Sequence, residues 1–258
     1  MTRLPTLSFL LSIMFVAFGV CIATSSADAQ VVPCADARGC PDLIVDATKL
    51  AQNFIDKANF ASTDCAVIEG EIVAGPRKLL RFNFSTPNLG PGDLYIGSPW
   101  PHIAANDGWF EYPTCHGHPH FKEYADYRLW TVDGYTAWKA LRDANPGVLS
   151  RDLLAANPQL AGEMVAGRKF GFCAIDVIQY STTALAKYTS CFDNQGISVG
   201  WADLYNYRLD GQWIDITDVP GGTYILEGEV NAEHFFAEAD YSNNSATAVV
   251  KIPGKKGR

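Results

Sequence analysis

The sequence predicts an all-β fold: a β-sandwich-like single domain with a helical insertion and long loops. Two observations support this prediction. Many short segments alternate apolar and polar residues, as in residues 78–84, where Leu80, Phe82 and Phe84 share one face. Turns rich in Pro, Gly and Asn separate these segments, for example at 87–92 and 220–222. Short strands at such regular spacing are typical of sandwiches and barrels.

Further strands are expected along most of the chain. The pattern predicts them at 94–96, 123–131, 213–217, 223–230 and 246–252, while the stretch 42–60 fits a strand or a helix. Within 223–230, alternation places Tyr224, Leu226 and Val230 on one face and Glu227 and Glu229 on the other.

The helical insertion is expected over about 135–164, where the alternation stops. Residues 137–144 fit a helix that ends before Asn145-Pro146-Gly147. Ser150 is a candidate N-cap for a second helix through Ala156, which Asn157-Pro158 would end. The segment fits a helical insertion or a lid, and it is long enough to roof the functional site.

The first residues resemble an export signal. A basic Arg3, an apolar run at 7–23 and the small-x-small site before Gln30 predict a secretory signal peptide over 1–29, followed by one domain over 30–258. An uncleaved anchor helix is the alternative, although the apolar run is short for a span. We therefore expect a secreted, extracytoplasmic protein with no stable membrane insertion after signal removal.

The formal net charge of −8 limits the partners. An acidic surface argues against nucleic acid and attracts cationic substrates such as amines. The alternative is that this mild acidity serves only solubility.

A histidine cluster is the strongest functional signal. Three of the five histidines lie in the run 115–121, at His116, His118 and His120. In an extended strand, alternate residues share one face, so the three imidazoles would line up to bind one ion. Such a ligand set suits Cu(II), Zn(II) or Ni(II), with Cu(II) highest in the affinity order. Three unrelated surface histidines are the alternative.

Several separated stretches of the chain resemble the catalytic domain of the lysyl oxidase family, in a form similar to its bacterial members. The resemblance runs from about Pro41 to Ile252, and the stretches occur in the family's order. They are 77–82 (RKLLRF), 115–120 (CHGHPH), 167–173 (GRKFGFC), 203–205 (DLY), 212–219 (QWIDITDV) and 238–244 (EADYSNN).

The resemblance implies a copper amine oxidase. The family's copper ligands fall on His116, His118 and His120, and its self-derived cofactor, lysine tyrosylquinone, would form from Lys169 and Tyr205. An enzyme of this type oxidises primary amines, either peptidyl lysine or small free amines, to aldehydes. It consumes O₂ and releases H₂O₂ and ammonia. The protein would supply position and electrostatics for the quinone.

The resemblance also suggests a base. Where animal enzymes of the family have a histidine after the copper ligands, this sequence has Asp126. A buried carboxylate with a raised pKa could remove the substrate's α-proton. A structural aspartate at a strand end is an equal alternative.

Six cysteines remain after signal removal, and an even number in an exported chain suggests disulfides. Glu71, Gln179, Trp201 and Gly211 stand where the family has further cysteines. The family pattern implies a bridge between Cys115 and Cys191. Cys34 and Cys40 lie around a short local loop and are expected to pair with each other. Exclusion then leaves Cys65 with Cys173.

Two other functions fit parts of the sequence. A non-catalytic secreted metal-binding or adhesion β-sandwich module would need the histidines but not the quinone. A zinc hydrolase with three histidines and a water is possible by ligand count, but it leaves the sequence contexts of Lys169 and Tyr205 unexplained.

Overall fold

The computed structural model describes residues 31–167 and 171–254, so the predicted signal peptide (1–29) lies outside the described residues. The described chain is built mainly of antiparallel strands, which confirms the mainly β prediction. The two-layer sandwich stays a prediction. None of the helices in these two ranges combines the length and the apolar character that a membrane span requires.

The described ranges contain fourteen strands, five α-helices and one 3₁₀ helix. The strands are β1 (Asn53–Phe60), β2 (Gly75–Phe82), β3 (Phe84–Pro87), β4 (Leu94–Gly97), β5 (Phe110–Glu111), β6 (His120–Phe121), β7 (Ala125–Thr131), β8 (Met164–Gly167), β9 (Ile178–Gln179), β10 (Gln195–Ile197), β11 (Trp201–Tyr205), β12 (Trp213–Asp215), β13 (Gly222–Val230) and β14 (Ser245–Ile252). The helices are α1 (Ala47–Leu50), α2 (Cys65–Ile68), α3 (Pro99–Ala105), α4 (Val132–Ala144), α5 (Ser150–Ala156) and the 3₁₀ helix Pro158–Glu163. The ambiguous stretch 42–60 therefore contains both a short helix and a strand.

The strands form five small sheets. The largest has four strands in the order β14-β13-β7-β8. Two three-stranded sheets follow the orders β1-β2-β12 and β3-β11-β9, and two-stranded pairs join β4 with β10 and β5 with β6. Every pairing between these strands is antiparallel.

The main core lies between the sheets. Leu80, Phe82 and Phe84 are fully buried in it, as their alternation predicted, and they meet Leu226 and Val230 of β13. Burial of these apolar side chains is the dominant driving force for such a fold. The central strands are therefore where the sequence pattern placed them.

The other face of the four-stranded sheet is covered by the helical segment. Trp130 of β7 packs with Trp138 of α4, Leu153 of α5 and Leu160 of the 3₁₀ helix in a separate apolar cluster. Glu227 lies beneath these helices and is 0% exposed. Alternation correctly placed Glu227 and Leu226 on opposite faces of β13. The face that carries Glu227 is nevertheless buried, because the helices cover it.

Three expectations about the helical segment were wrong. Helix α4 begins at Val132 rather than 137, because the Thr131 side chain accepts a hydrogen bond from the Gly134 N–H and caps the helix earlier. Ser150 is not the N-cap of α5; that residue is Leu149, and the Ser150 hydroxyl donates to Glu229. The segment also packs on the sheet instead of forming a lid, since none of its residues lines the histidine cavity described below.

All six cysteines within the described ranges form disulfides, but two predicted pairs were wrong. The local Cys34–Cys40 bridge is confirmed. Instead of Cys115–Cys191 and Cys65–Cys173, the structure has Cys65–Cys115 and Cys173–Cys191, with Cα–Cα distances of 5.5 and 5.4 Å. Helix α2 begins beside the histidine turn, so Cys65 lies within bonding distance of Cys115. The loop between residues 173 and 191 brings its two ends together, so Cys173 bonds with Cys191.

Candidate metal centre

The histidine run forms a turn rather than the expected extended strand. His116 lies in this turn, Gly117 has a φ of +69°, and the Gly117 N–H donates to the Pro113 carbonyl at 3.0 Å. Regular strand structure begins only at His120, in β6. A left-handed φ, which glycine adopts without steric cost, reverses the chain here. The prediction of an extended backbone was therefore wrong.

The turn nevertheless brings the three imidazoles together. The ring centroids are 4.7 Å apart for His118 and His120, 5.1 Å for His116 and His120, and 6.1 Å for His116 and His118. His118 Nε2 lies 3.2 Å from His120 Nε2. Two nitrogens that bind one ion at about 2.0–2.1 Å lie roughly 3 Å apart. These two rings therefore already face each other as a ligand pair would.

The other ring nitrogen of His118 has a backbone neighbour. His118 Nδ1 lies 3.1 Å from the His116 carbonyl oxygen. If Nδ1 carries the proton and donates to this carbonyl, Nε2 is left unprotonated and free to bind an ion. Metal-bound histidines usually donate their second N–H to a carbonyl or a carboxylate in this way.

The second half of the 167–173 motif packs against the same histidine segment. Phe172 pairs with Phe121 through backbone hydrogen bonds of 2.7 and 3.1 Å. Gly171 is so close to His120 that a Cβ atom at 171 would lie 1.9 Å from the imidazole Nδ1. Only glycine fits there with the ring in its present position. Lys169, the predicted cofactor lysine, lies outside the described residues.

A cavity of about 330 Å³ joins the histidines to the predicted cofactor tyrosine. His116, His118, His120 and Tyr205 all line it. The rest of the lining includes both apolar and acidic side chains. The apolar side chains are Ile175, Val177, Leu204 and Leu209, and the acidic ones are Glu71, Asp203 and Asp210.

Tyr205 is held rigidly at the inner end of β11. Its side chain is 6% exposed and its ring meets Phe172 edge-on at 5.1 Å. Burial raises the pKa of the Tyr205 phenol well above its ordinary value, and the neighbouring Asp203 carboxylate raises it further. The phenol is therefore protonated at neutral pH in this arrangement.

Asp203 is a site residue that the sequence analysis missed. It is 1% exposed and lies two positions before Tyr205 on β11, so the two side chains share a strand face. That spacing is the sequence signal that would have identified it.

Asp126, the predicted base, is not brought to this cavity. It lies on β7, where its side chain is 51% exposed and pairs with Arg128 at 2.8 Å. The adjacent Tyr127 faces the core, so strand alternation directs Asp126 away from the core. Its position fits the structural alternative.

The three imidazoles suit the implied metal as a donor set, although they do not yet form a closed ligand cluster. Within residues 31–167 and 171–254, no group of three or more His, Cys, Asp or Glu side chains is arranged tightly enough to count as a metal site. His118 and His120 face each other, while His116 is turned toward Glu69, with Nδ1 2.6 Å from Oε2. Three imidazoles around one cavity fit Cu(II) or Zn(II).

Comparison with known proteins identifies the family. The sequence model of the lysyl oxidase family matches residues 150–257. The chain is 32% identical to lysyl oxidase homolog 3B of Danio rerio over 184 residues, which is 70% of this chain and 18% of that protein. It is 30% identical to human lysyl oxidase homolog 1 over 236 residues, or 86% of this chain and 35% of that protein. The chain belongs to the lysyl oxidase family.

The match to these lysyl oxidase relatives covers only part of their length. The chain spans about a fifth to a third of the curated relatives it matches. The family match includes the positions of Lys169 and Tyr205, and the alignment to human lysyl oxidase homolog 1 covers more of the chain than this match. Family membership therefore rests on most of this chain, while the activity of the longer relatives is a matter for proposal.

Proposed function

We propose that this protein is a secreted, copper-dependent amine oxidase that uses a lysine tyrosylquinone made from Lys169 and Tyr205. The observation that carries the proposal is the shared cavity, which is lined by the three histidines and by the Tyr205 phenol. A buried tyrosine beside three imidazoles is what a metal-assisted modification of that ring requires. Lysyl oxidase family membership supports the same reading.

His116, His118 and His120 would hold the copper ion through their ring nitrogens. Together with the quinone, that ion would supply the oxidation of a primary amine to an aldehyde, with O₂ reduced to H₂O₂ and ammonia released. The protein's part is to fix the Tyr205 ring, which the edge-on contact with Phe172 and its near-complete burial do.

Lys169 is two residues before Gly171 in the sequence, and Gly171 packs against His120. The proposed cofactor lysine is therefore close in sequence to a residue that lines the cavity. For addition to the oxidised ring, the Lys169 amine must be unprotonated, because only the neutral amine has a free electron pair. A partly desolvated site would favour that form.

For the base that accepts the substrate's α-proton, we propose Asp203 in place of Asp126. Asp203 lines the cavity next to Tyr205, whereas Asp126 is half-exposed in an ion pair with Arg128. A carboxylate that is 1% exposed is shielded from bulk water, which suits proton transfer. The proton would rest on a carboxylate oxygen of Asp203.

The cavity lining also suits the proposed substrate. Glu71, Asp203 and Asp210 provide carboxylates for an ammonium group, while Ile175 and Leu204 contribute apolar side chains for an alkyl chain. Either a small primary amine or a lysine side chain of a protein has this combination. The predicted signal peptide and the three disulfides are consistent with export.

The test is to mature the purified protein with copper in air and then to look for the cofactor and the activity together. Peptide mapping should find a cross-linked peptide that joins Lys169 and Tyr205, and the denatured protein should stain for a quinone. A panel of primary amines should then release H₂O₂. Lys169→Ala and Tyr205→Phe should abolish both signals.

Tyr207→Phe is the matched control, since Tyr207 follows β11 but does not line the cavity. That variant should keep the cross-link and the peroxide release. Copper binding without any cross-link in the parent protein would contradict the proposal and favour the non-catalytic metal-binding module.

A further inference from the structure

Glu69 makes a close contact with one of the three histidines. Its Oε2 atom lies 2.6 Å from His116 Nδ1, and the side chains are only 15% and 17% exposed. The contact does not have hydrogen-bond geometry, because His116 Nδ1 has no hydrogen-bond partner within the described residues. The two atoms are nevertheless within hydrogen-bonding distance.

Two structural features hold Glu69 in this place. Its backbone N–H donates to the Cys65 carbonyl at 2.9 Å, which makes Glu69 the C-cap of α2. Cys65 is also bonded to Cys115, the residue immediately before His116. The disulfide therefore ties the one-turn helix that carries Glu69 to the turn that carries His116.

A buried carboxylate costs free energy unless it is paired, so its presence beside one imidazole needs a reason. The described residues give Glu69 no other ion pair than the one with His116. His118 offers a parallel, because its Nδ1 faces the His116 carbonyl. Two of the three imidazoles therefore have an oxygen acceptor next to Nδ1.

We propose that Glu69 is a positioning residue for the metal centre. Its carboxylate accepts the Nδ1–H of His116, which keeps Nε2 unprotonated and turns it toward His118 and His120. This inference rests on the proposed function only in taking His116 as a metal ligand. It adds a residue outside the ligand set and assigns the metal-facing nitrogen of His116 as Nε2.

The chain contains a matched control for this arrangement. His102 Nδ1 lies 2.7 Å from Asp107 Oδ2, and neither residue lines the histidine cavity. Asp107→Ala therefore removes a carboxylate–histidine contact of nearly the same length at a site with no proposed metal, as Glu69→Ala does at the proposed metal centre. Any general effect of losing such a contact will appear in that variant too.

The experiment measures Cu(II) affinity by competition with a chelator, together with the Cu(II) EPR spectrum, for the full chain with intact disulfides. Loss of an outer partner of a metal-bound histidine typically weakens metal binding about 10- to 100-fold. We expect Glu69→Ala to fall in that range. Glu69→Gln should be affected less, because its amide oxygen still accepts the Nδ1–H. Asp107→Ala should match the parent in both measurements.

Three outcomes would overturn the inference. They are unchanged copper affinity in Glu69→Ala, an equal loss in Asp107→Ala, and an EPR spectrum identical to the parent's in both Glu69 variants. Should Glu69→Ala fail to fold, as judged by circular dichroism, the Glu69→Gln measurement and its EPR spectrum decide alone. If the parent itself binds no copper, or if His116→Ala binds as tightly as the parent, the proposed function fails instead.

Discussion

Replacing Glu227 with alanine tests whether the helical segment is fixed to the sheet or able to move as a lid. The buried carboxylate accepts hydrogen bonds from Trp130 Nε1 at 2.9 Å, from Trp138 Nε1 at 3.1 Å and from Arg142 Nη1 at 2.9 Å. Trp130 belongs to the sheet, while Trp138 and Arg142 belong to α4. One side chain therefore joins both layers.

The expected loss follows from what the substitution leaves behind. Two buried indole N–H groups would lose their acceptor, at a cost of about 1–3 kcal/mol each. Arg128, also buried, keeps Glu229 as a partner at 2.5 Å, so its charge remains compensated. Breaking a buried ion pair costs about 3–5 kcal/mol. This cost and the cost of the two lost hydrogen bonds come from the same carboxylate, so they are not added together. We therefore expect the free energy of unfolding to fall by roughly 3–5 kcal/mol.

The assay is denaturant unfolding followed by tryptophan fluorescence, with copper affinity measured on the folded variant. Asp143→Ala on the outer face of α4 is the control, because it removes only an exposed pair with Lys139 and should cost less than about 0.5 kcal/mol. Copper affinity should be unchanged in Glu227→Ala, since the helices do not line the histidine cavity. A loss below about 1 kcal/mol would refute the reasoning, because it would mean that the network contributes little.

Three further predictions concern other parts of the fold. Gly171→Ala should displace the His120 ring, because the new Cβ would lie 1.9 Å from Nδ1, and should weaken copper binding more than about tenfold in the same chelator competition. Burial raises the pKa of Glu238 to about 7 from 4.5, so its contribution to stability is fully present below about pH 4.5 and is lost as pH rises through 7. In the parent, the free energy of unfolding should therefore fall by roughly 2–4 kcal/mol between pH 4.5 and 8. Glu238→Gln has no carboxyl group to titrate, so this fall should be absent and its stability profile flatter; a profile identical to the parent's would contradict this. Gln179→Cys with Trp201→Cys should form a new disulfide, since the two residues are paired across β9 and β11, and the oxidised form should be about 3 kcal/mol more stable than the reduced form; free thiols under oxidising conditions would contradict it.

Local patterns predicted the strands well because alternation reports which side of a strand is buried. The predicted face of Leu80, Phe82 and Phe84 is fully buried, and strand 223–230 matches β13 to within one residue at its start. What covers the opposite face is a non-local question. No pattern within β13 indicates that α4 packs over Glu227, so its complete burial could not be predicted from the strand alone.

The three histidines lie close together as expected, although the extended backbone predicted for them was wrong. Three histidines within five residues stay close in almost any conformation, because the chain between them is too short to separate them widely. Their nearness therefore did not depend on the strand that the sequence analysis assumed. Gly117 was the available sign of a turn, since glycine tolerates the positive φ that it adopts here.

The disulfide error concerns the four positions where the family has further cysteines: Glu71, Gln179, Trp201 and Gly211. They were treated separately, as if Cys65 and Cys173 had each lost a bonding partner at one of them. In the structure these four positions lie in two adjacent pairs: Gln179 is opposite Trp201 in the strand register, and a Cβ at Gly211 would lie 3.0 Å from Glu71 Oε2. Each replaced position therefore neighbours another replaced position rather than a surviving cysteine. Cys65 and Cys173 had not lost their partners, so pairing them by exclusion had no physical basis. Adjacency of this kind depends on strand pairing and loop closure, which cysteine spacing in a single sequence does not encode.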